Sequence, residues 1–224
     1  MAKDIVSAPY MIDLLWLVLA WLAYFVFHSL MASLRIKQAV ARRWPEWMPA
    51  YRLIFNALAV LLLALPVWLL YSAQGPFLWR WSGVAAWLSG ILSVAAMAGF
   101  VWSLKYYDMA EFLGLRQYSG RVHSVHDQEG FHLSPLHRYV RHPWYSLALV
   151  LIWTRDMNLA MLVSAIMMTG YFVMGSRLEE RKLIEYHGPV YRRYMALVPA
   201  LIPRPWKFLR RHQLAELTGR NRAL

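Results

Sequence analysis

Arg141-His142-Pro143-Trp144-Tyr145 sets a fixed cation, an imidazole and a phenol within five residues. Pro143 suits the first position of a helix, where its missing N–H would have no partner anyway. The free amides of such a helix start favour anions, so Arg141 and His142 stand where a charged ligand could be held. The same residues also fit an interfacial helix start with a snorkelling arginine and a belt tryptophan. Glu179 and Glu180 form a second constellation, at the point where an apolar run gives way to Arg177, Arg181 and Lys182. A carboxylate beside hydrocarbon is costly and needs either a partner or a task. Pairing with those three neighbouring cations is the plainer reading, and Arg181 and Glu185 have ordinary helical ion-pair spacing. Tyr191 and Tyr194 share one face of a short helix opened by Gly188-Pro189, suited to packing against headgroups or to ligand contact.

Other chemistries are narrowed by what the chain contains. It has no cysteine, which removes disulfides, thiolate nucleophiles, thiolate zinc sites and cysteine-ligated clusters. His123 and His126 have a spacing that could hold a metal on a helix, but Gly130 and Ser134 indicate irregular chain nearby, so no metal is expected. His28, beside Ser29, could face a cavity or serve as a hydrogen-bonded packing residue. No nucleophile elbow, phosphate-binding glycine loop or zinc-protease helix motif occurs in the sequence.

The elements that must position these residues are apolar helices. The 224 residues are 59% hydrophobic and only 16% charged, with positive mean hydropathy, whereas soluble domains carry about a quarter charged residues. Spans are predicted over about Met11–Met31, Tyr51–Ser72 and Ser82–Leu104, each long enough for a hydrocarbon core of about 30 Å. The first span lacks the basic leader and small-residue cleavage site of a signal peptide and is read as a retained helix. The third is rich in Ala, Gly and Ser, which lets helices approach closely. From Lys105 to Arg141 the chain is polar. The run opened by Pro143 is shorter, about fourteen residues or roughly 21 Å. It is expected to form one arm of a tight hairpin, with Thr154-Arg155-Asp156 at the turn and a return arm from about Met157 to Ser176. The expected fold is therefore all-α: a membrane bundle of about five transmembrane helices in one domain. Its parts are a three-span region (1–104), a cytoplasmic connection (105–142), the hairpin with a C-terminal segment (143–205) and a basic tail (206–224).

Charge sets the expected orientation. Of 24 Lys and Arg, all but Lys3, Arg80 and Arg155 follow the first span, the third span or the return arm. The positive-inside rule then puts the N-terminus outside and the C-terminus in the cytoplasm, as in a bacterial inner membrane. The formal net charge of +12 is thus assigned to loops facing anionic membrane lipids rather than to nucleic acid. A transporter would need charged or helix-breaking residues at mid-depth, and Pro66 and Asp13 are the only notable candidates.

Taken in order, Arg141-His142-Pro143-x-Tyr145, an apolar hairpin, Glu179-Glu180-x-x-Leu183, His187-Gly188-x-x-Tyr191-x-x-Tyr194 and Val198-Pro199 through Pro203 resemble the membrane methyltransferase superfamily of isoprenylcysteine carboxyl methyltransferases and phospholipid methyltransferases. The likeness covers about Phe131–Pro205. His28-Ser29-Leu30 and Glu111-Phe112-Leu113-Gly114-Leu115-Arg116-Gln117 further resemble the branch of methanethiol S-methyltransferases and NnrU-like proteins. Leu113 is an addition to the Phe-Gly-Leu-Arg-Gln form of that branch, and His187-Gly188 stands where Phe-Gly is usual.

The resemblance implies S-adenosylmethionine held at the cytoplasmic side by the hairpin and the C-terminal segment. Arg141, His142, Tyr145, Glu179, Glu180, Tyr191 and Tyr194 would line that pocket. Arg141 or the helix start would meet the cofactor's carboxylate, a glutamate its ammonium and an aromatic face its sulfonium. His142 or Glu180 would act as a base if the acceptor is a thiol, and His28 and Arg116 would lie toward the acceptor. A small thiol such as methanethiol ranks first as acceptor, an amphipathic lipid-like molecule second. An isoprenylcysteine carboxylate would require a lipid-facing gap. The non-enzymatic alternative is an NnrU-like membrane protein of nitrogen-oxide metabolism, which would need no cofactor.

Overall fold

The structure, a computed structural model, describes residues 7–73, 75–120 and 133–218. In chain order the helices are α1 (Ala8–Ala32), α2 (Leu34–Arg43), α3 (Met48–Ser72), α4 (Gly83–Ser103), α5 (Met109–Leu113), α6 (Leu115–Ser119), α7 (Pro143–Trp153), α8 (Leu159–Leu197) and α9 (Arg211–Thr218). Two short strands, β1 (Phe77–Trp79) and β2 (Met157–Asn158), pair antiparallel. The strand pair has no counterpart in the sequence reading, because segments of three and two residues carry no periodicity.

α1, α3, α4 and α8 are each long and apolar enough to cross a membrane. Val60, Val84, Trp87 and Val94 are each at least 70% exposed. In water that much exposed apolar surface would cost about 25 cal/mol per Å², whereas in lipid it is solvated. The chain is an integral membrane protein. α7 is the short hairpin arm. Its 11 residues, ending at Trp153, reach roughly 16 Å and do not cross a bilayer alone.

The described residues form two compact units. The first contains α1–α3, β1, α5, α6, β2 and the opening turns of α8. Leu14, Leu17 and Trp21 are buried there, and Trp21 Nε1 donates to Ser164 Oγ at 2.9 Å. The Tyr51 hydroxyl donates to the Met31 carbonyl at 2.6 Å, joining α3 to α1. Ser33 both ends α1 and caps α2, accepting from the amide of Ile36 and leaving the basic helix α2 to start afresh. Gly114 separates α5 from α6 at φ +90°; a Cβ there would lie 2.8 Å from the backbone nitrogen of Leu53. Two residues earlier, the carbonyl of Phe112 accepts from Arg52 Nε at 3.1 Å and Asn56 Nδ2 at 3.0 Å.

The second unit contains α4, α7, α9 and α8 from Met168 onward. α7 packs on α4, where Gly99 lets the Leu147 side chain approach. Trp144 Nε1 donates to Ser103 Oγ at 2.9 Å, and Ser93 and Thr154 hydroxyls meet at 2.6 Å. Trp81 Nε1 donates to the carbonyl of Arg155 at the hairpin turn at 3.1 Å. A separate core of Tyr191, Tyr194, Val198 and Leu209 gathers Leu183, Ile184, Leu214 and Leu217 around it.

Candidate functional site

Every residue of the site described here belongs to the second unit. His142 caps α7 and Pro143 takes its first position, as the sequence predicts, so the cation and imidazole sit at the helix mouth. α8 continues past its apolar stretch without a break at Glu179 and Glu180. Its helical geometry fails only at Gly188, with φ 50° and ψ −123°. Pro189 disfavours helical geometry in the residue before it and has the fixed φ to open a new helix. That second segment carries Tyr191 and Tyr194 inward, where they are 2% and 1% exposed.

The acidic pair and the Arg-His-Pro mouth meet. Glu180 Oε1 accepts from Arg141 Nε at 2.7 Å and from Arg141 Nη2 at 2.7 Å, and lies 3.1 Å from His142 Nε2. On the other edge of the ring, His142 Nδ1 lies 3.3 Å from Glu179 Oε2. The plainer expectation, that Glu180 pairs with Arg177, Arg181 or Lys182, is not what forms: its partners come from 38 and 39 residues away. Glu180's side chain is 10% exposed and that of Glu179 49%, so one carboxylate is interior and the other faces out.

Arg141 is used internally. Beyond Glu180, Nη1 donates to the carbonyls of Met195 and Val198, and the Tyr191 hydroxyl is a further hydrogen-bond partner. This guanidinium closes the end of α8, where carbonyls lack helical partners. The backbone completes the seam. Arg141 N donates to Pro199 O at 2.9 Å, His142 N to Ala200 O at 3.1 Å, and Ser146 Oγ to Leu201 O at 2.6 Å. Upstream, the Tyr194 hydroxyl donates to His137 O at 2.7 Å, while Arg138 and Leu209 exchange hydrogen bonds in both directions. Arg141 thus ties the C-terminal segment to the mouth of α7.

Carboxylates only accept hydrogen bonds, so an imidazole between two of them satisfies both only when both ring nitrogens carry protons. Burial alone would lower the basicity of His142, but the hydrogen bonds to Glu179 and Glu180 outweigh it and raise the pKa to about 8. His137, in the turn Pro135–Arg138, shows the opposite case: burial, then the nearby His142 charge, lowers it to about 4. Its Nδ1 accepts from the Ser134 amide at 3.1 Å. Nothing in the sequence distinguished His137 from the other histidines of the polar stretch. Tyr145 stacks on the His142 ring at 5.5 Å and on Phe172 at 5.0 Å, both at 10° between planes.

The chain is 31% identical over 182 residues to methanethiol S-methyltransferase 2 of Bradyrhizobium diazoefficiens, covering 79% of this chain and 68% of that protein. It is 30% identical over 192 residues to methanethiol S-methyltransferase of Mycobacterium tuberculosis, covering 80% and 73%. A third relative of that name, from Crocosphaera subtropica, is 27% identical over 186 residues, covering 79% and 69%. The chain belongs to the methanethiol S-methyltransferase family. No protein-family profile and no solved structure matches it.

Membership in the methanethiol S-methyltransferase family makes the chain a methyltransferase. The site then sorts the residues named from the sequence. Arg141, His142, Tyr145, Glu179, Glu180, Tyr191 and Tyr194 all gather in the second unit. His28 and Arg116 belong to the first unit, where His28 packs on Tyr24 and Phe55, and Arg116 pairs with Asp108 at 2.6 Å. His123 and His126 lie outside the described residues. Among the described residues no group of three or more His, Asp or Glu is arranged to hold a metal.

Proposed function

We propose that this methyltransferase uses S-adenosylmethionine to methylate a small thiol of the methanethiol kind, on the cytoplasmic side of a bacterial inner membrane. The observation that carries the reading is the outward-facing Glu179 carboxylate set against the buried Arg141–Glu180–His142 cluster. That donor set suits the cofactor. A half-exposed carboxylate at Glu179 fits an ammonium. Arg141 is already engaged, so a ligand carboxylate would take a different donor.

When bound, the cofactor supplies an activated methyl and its own leaving group. The chain's tasks are to align the acceptor, exclude water and manage the thiol proton. Arg141 and Glu180 hold the helix mouth and the C-terminal segment together, Glu179 binds, and His142 handles the proton. The acceptor rests on the names of the relatives, and a lipid-like acceptor ranks below it because no described feature of the site calls for one. Family membership favours this reading over an NnrU-like role without a cofactor.

Two measurements test it. The detergent-purified chain should bind S-adenosylmethionine saturably. With methanethiol added, headspace analysis should show dimethyl sulfide in proportion to enzyme. Absence of saturable binding would remove the cofactor; binding without product would remove the acceptor.

A further inference from the structure

His142 is held by two unequal partners. On the Nε2 side stands Glu180, 10% exposed, at 3.1 Å and itself fixed by Arg141. On the Nδ1 side stands Glu179, 49% exposed, at the longer distance of 3.3 Å. Arg141, His142, Glu179 and Glu180 carry two positive and two negative charges when the imidazole is protonated, so the cluster is balanced as it stands. A cation brought to Glu179 upsets that balance at its most accessible point.

We propose that Glu179 is an exchangeable counter-ion: a ligand cation that takes the Glu179 carboxylate drives the Nδ1 proton off His142 and leaves a neutral imidazole, anchored by Glu180, that can accept the proton of a thiol. This rests on the cofactor reading above and specifies how the same site would work. Binding is then a proton-release event, and the base is formed only when the methyl donor is in place. In the reaction the thiol S–H proton passes to Nδ1, the thiol sulfur forms the new carbon–sulfur bond, and the electron pair of the broken bond stays on the leaving sulfur. The proton on His142 restores its attraction for Glu179 as products leave. The other groups facing His142 are compatible with this cycle. Tyr145 stacks on the ring, and His137, the nearest further imidazole, is buried and hydrogen-bonded to Ser134. Arg141 stays on Glu180 throughout, so the Nε2–H keeps its acceptor.

The test is calorimetry of the full chain in detergent, titrated with S-adenosylmethionine at pH 7.0 in phosphate and in Tris. A His142 pKa falling from about 8 to its unperturbed value releases about 0.7 proton per ligand, and the two buffers then give binding heats differing by that fraction of the difference between their ionisation enthalpies. The ligand's own amino group would take up protons on pairing, which is the opposite sign. Saturable binding with equal heats, or with net uptake, overturns the proposal while leaving the cofactor reading intact. Absence of binding in both buffers removes that reading and this inference with it. A ligand-free measurement stands apart from both. In histidine ¹⁵N NMR at pH 7 the His142 imidazole is expected to be charged in the unmodified chain and neutral in Glu179→Gln. An imidazole still charged in Glu179→Gln overturns the proposal.

Discussion

Arg141 and Glu180 meet at 2.7 Å with both side chains 10% exposed, and the same guanidinium reaches the last carbonyls of α8. One side chain thus ties the mouth of α7, the acidic pair and the C-terminal segment into a single piece. Removing one partner of such a pair leaves a buried charge without compensation, which is worse than losing the attraction itself.

Arg141→Ala should therefore lower the unfolding free energy in detergent by about 3 kcal/mol or more. Arg141→Lys keeps the charge but not the fork that spans a carboxylate and two carbonyls, and should recover less than half of that loss. Thermal unfolding followed by tryptophan fluorescence would read both. Equal stability of the lysine variant and the unmodified chain would show that the charge alone matters.

The two glutamates should separate in opposite ways. Glu180→Gln removes the charge that Arg141 and His142 share and is expected to destabilise by about 3 kcal/mol. Glu179→Gln touches a half-exposed pair, worth about 1 kcal/mol or less to stability, yet should weaken S-adenosylmethionine binding at least tenfold. Melting curves and binding isotherms on the same two preparations decide it. A Glu179→Gln variant that binds normally would take Glu179 out of the ligand site.

Two histidines bound the stable pH range from opposite sides. His142 is raised above the unfolded value near 6.5, so its contribution of about 2 kcal/mol is complete below that pH and fades as pH climbs through about 8. His137 is lowered by burial, so folding favours its neutral form; that contribution is present above about 6.5 and is lost as pH falls toward 4. Stability in detergent should peak between pH 6 and 7, roughly. In His142→Gln the alkaline decline should shrink while the acid decline persists.

Much of the site was legible because its signals are local. Pro143 at a helix start, Gly188-Pro189 as a break and Glu179-Glu180 at the end of an apolar run each follow from backbone or solvation chemistry of adjacent residues. What the sequence could not say is which oxygen meets which nitrogen. Arg177, Arg181 and Lys182 are nearer in the chain to Glu180 than Arg141 is, but the helix buries Glu180 while those three cations stay exposed. The hydrogen bonds from Arg141 to Met195 and Val198 are a long-range fact of the same kind, and they give that residue a positioning part that the sequence did not show. The α5–α6 loop is an intermediate case. Leu113, which departs from the form usual in the resembling branch, completes α5, and Gly114 then turns the chain at φ +90° against Leu53. A glycine in that place suggests a turn; its close approach to α3 depends on packing that no local pattern encodes.

Gly188 offers the sharpest local test. Its φ of 50° with ψ of −123° is open to glycine and strained for any L-residue, although no neighbouring atom lies within 4 Å of where a Cβ would stand. Gly188→Ala should thus destabilise through backbone strain alone, by about 2 kcal/mol. The strain can relax only by re-aiming the segment that begins at Pro189, which moves Tyr191 and Tyr194 out of their core and loosens the hydroxyl bond to the His137 carbonyl. Hydrogen exchange is expected to rise in 190–200 and 137–142 together, with α4 and the apolar part of α8 unchanged. A variant that exchanges like the unmodified chain would mean that Gly188 does not set the angle between the two parts of α8.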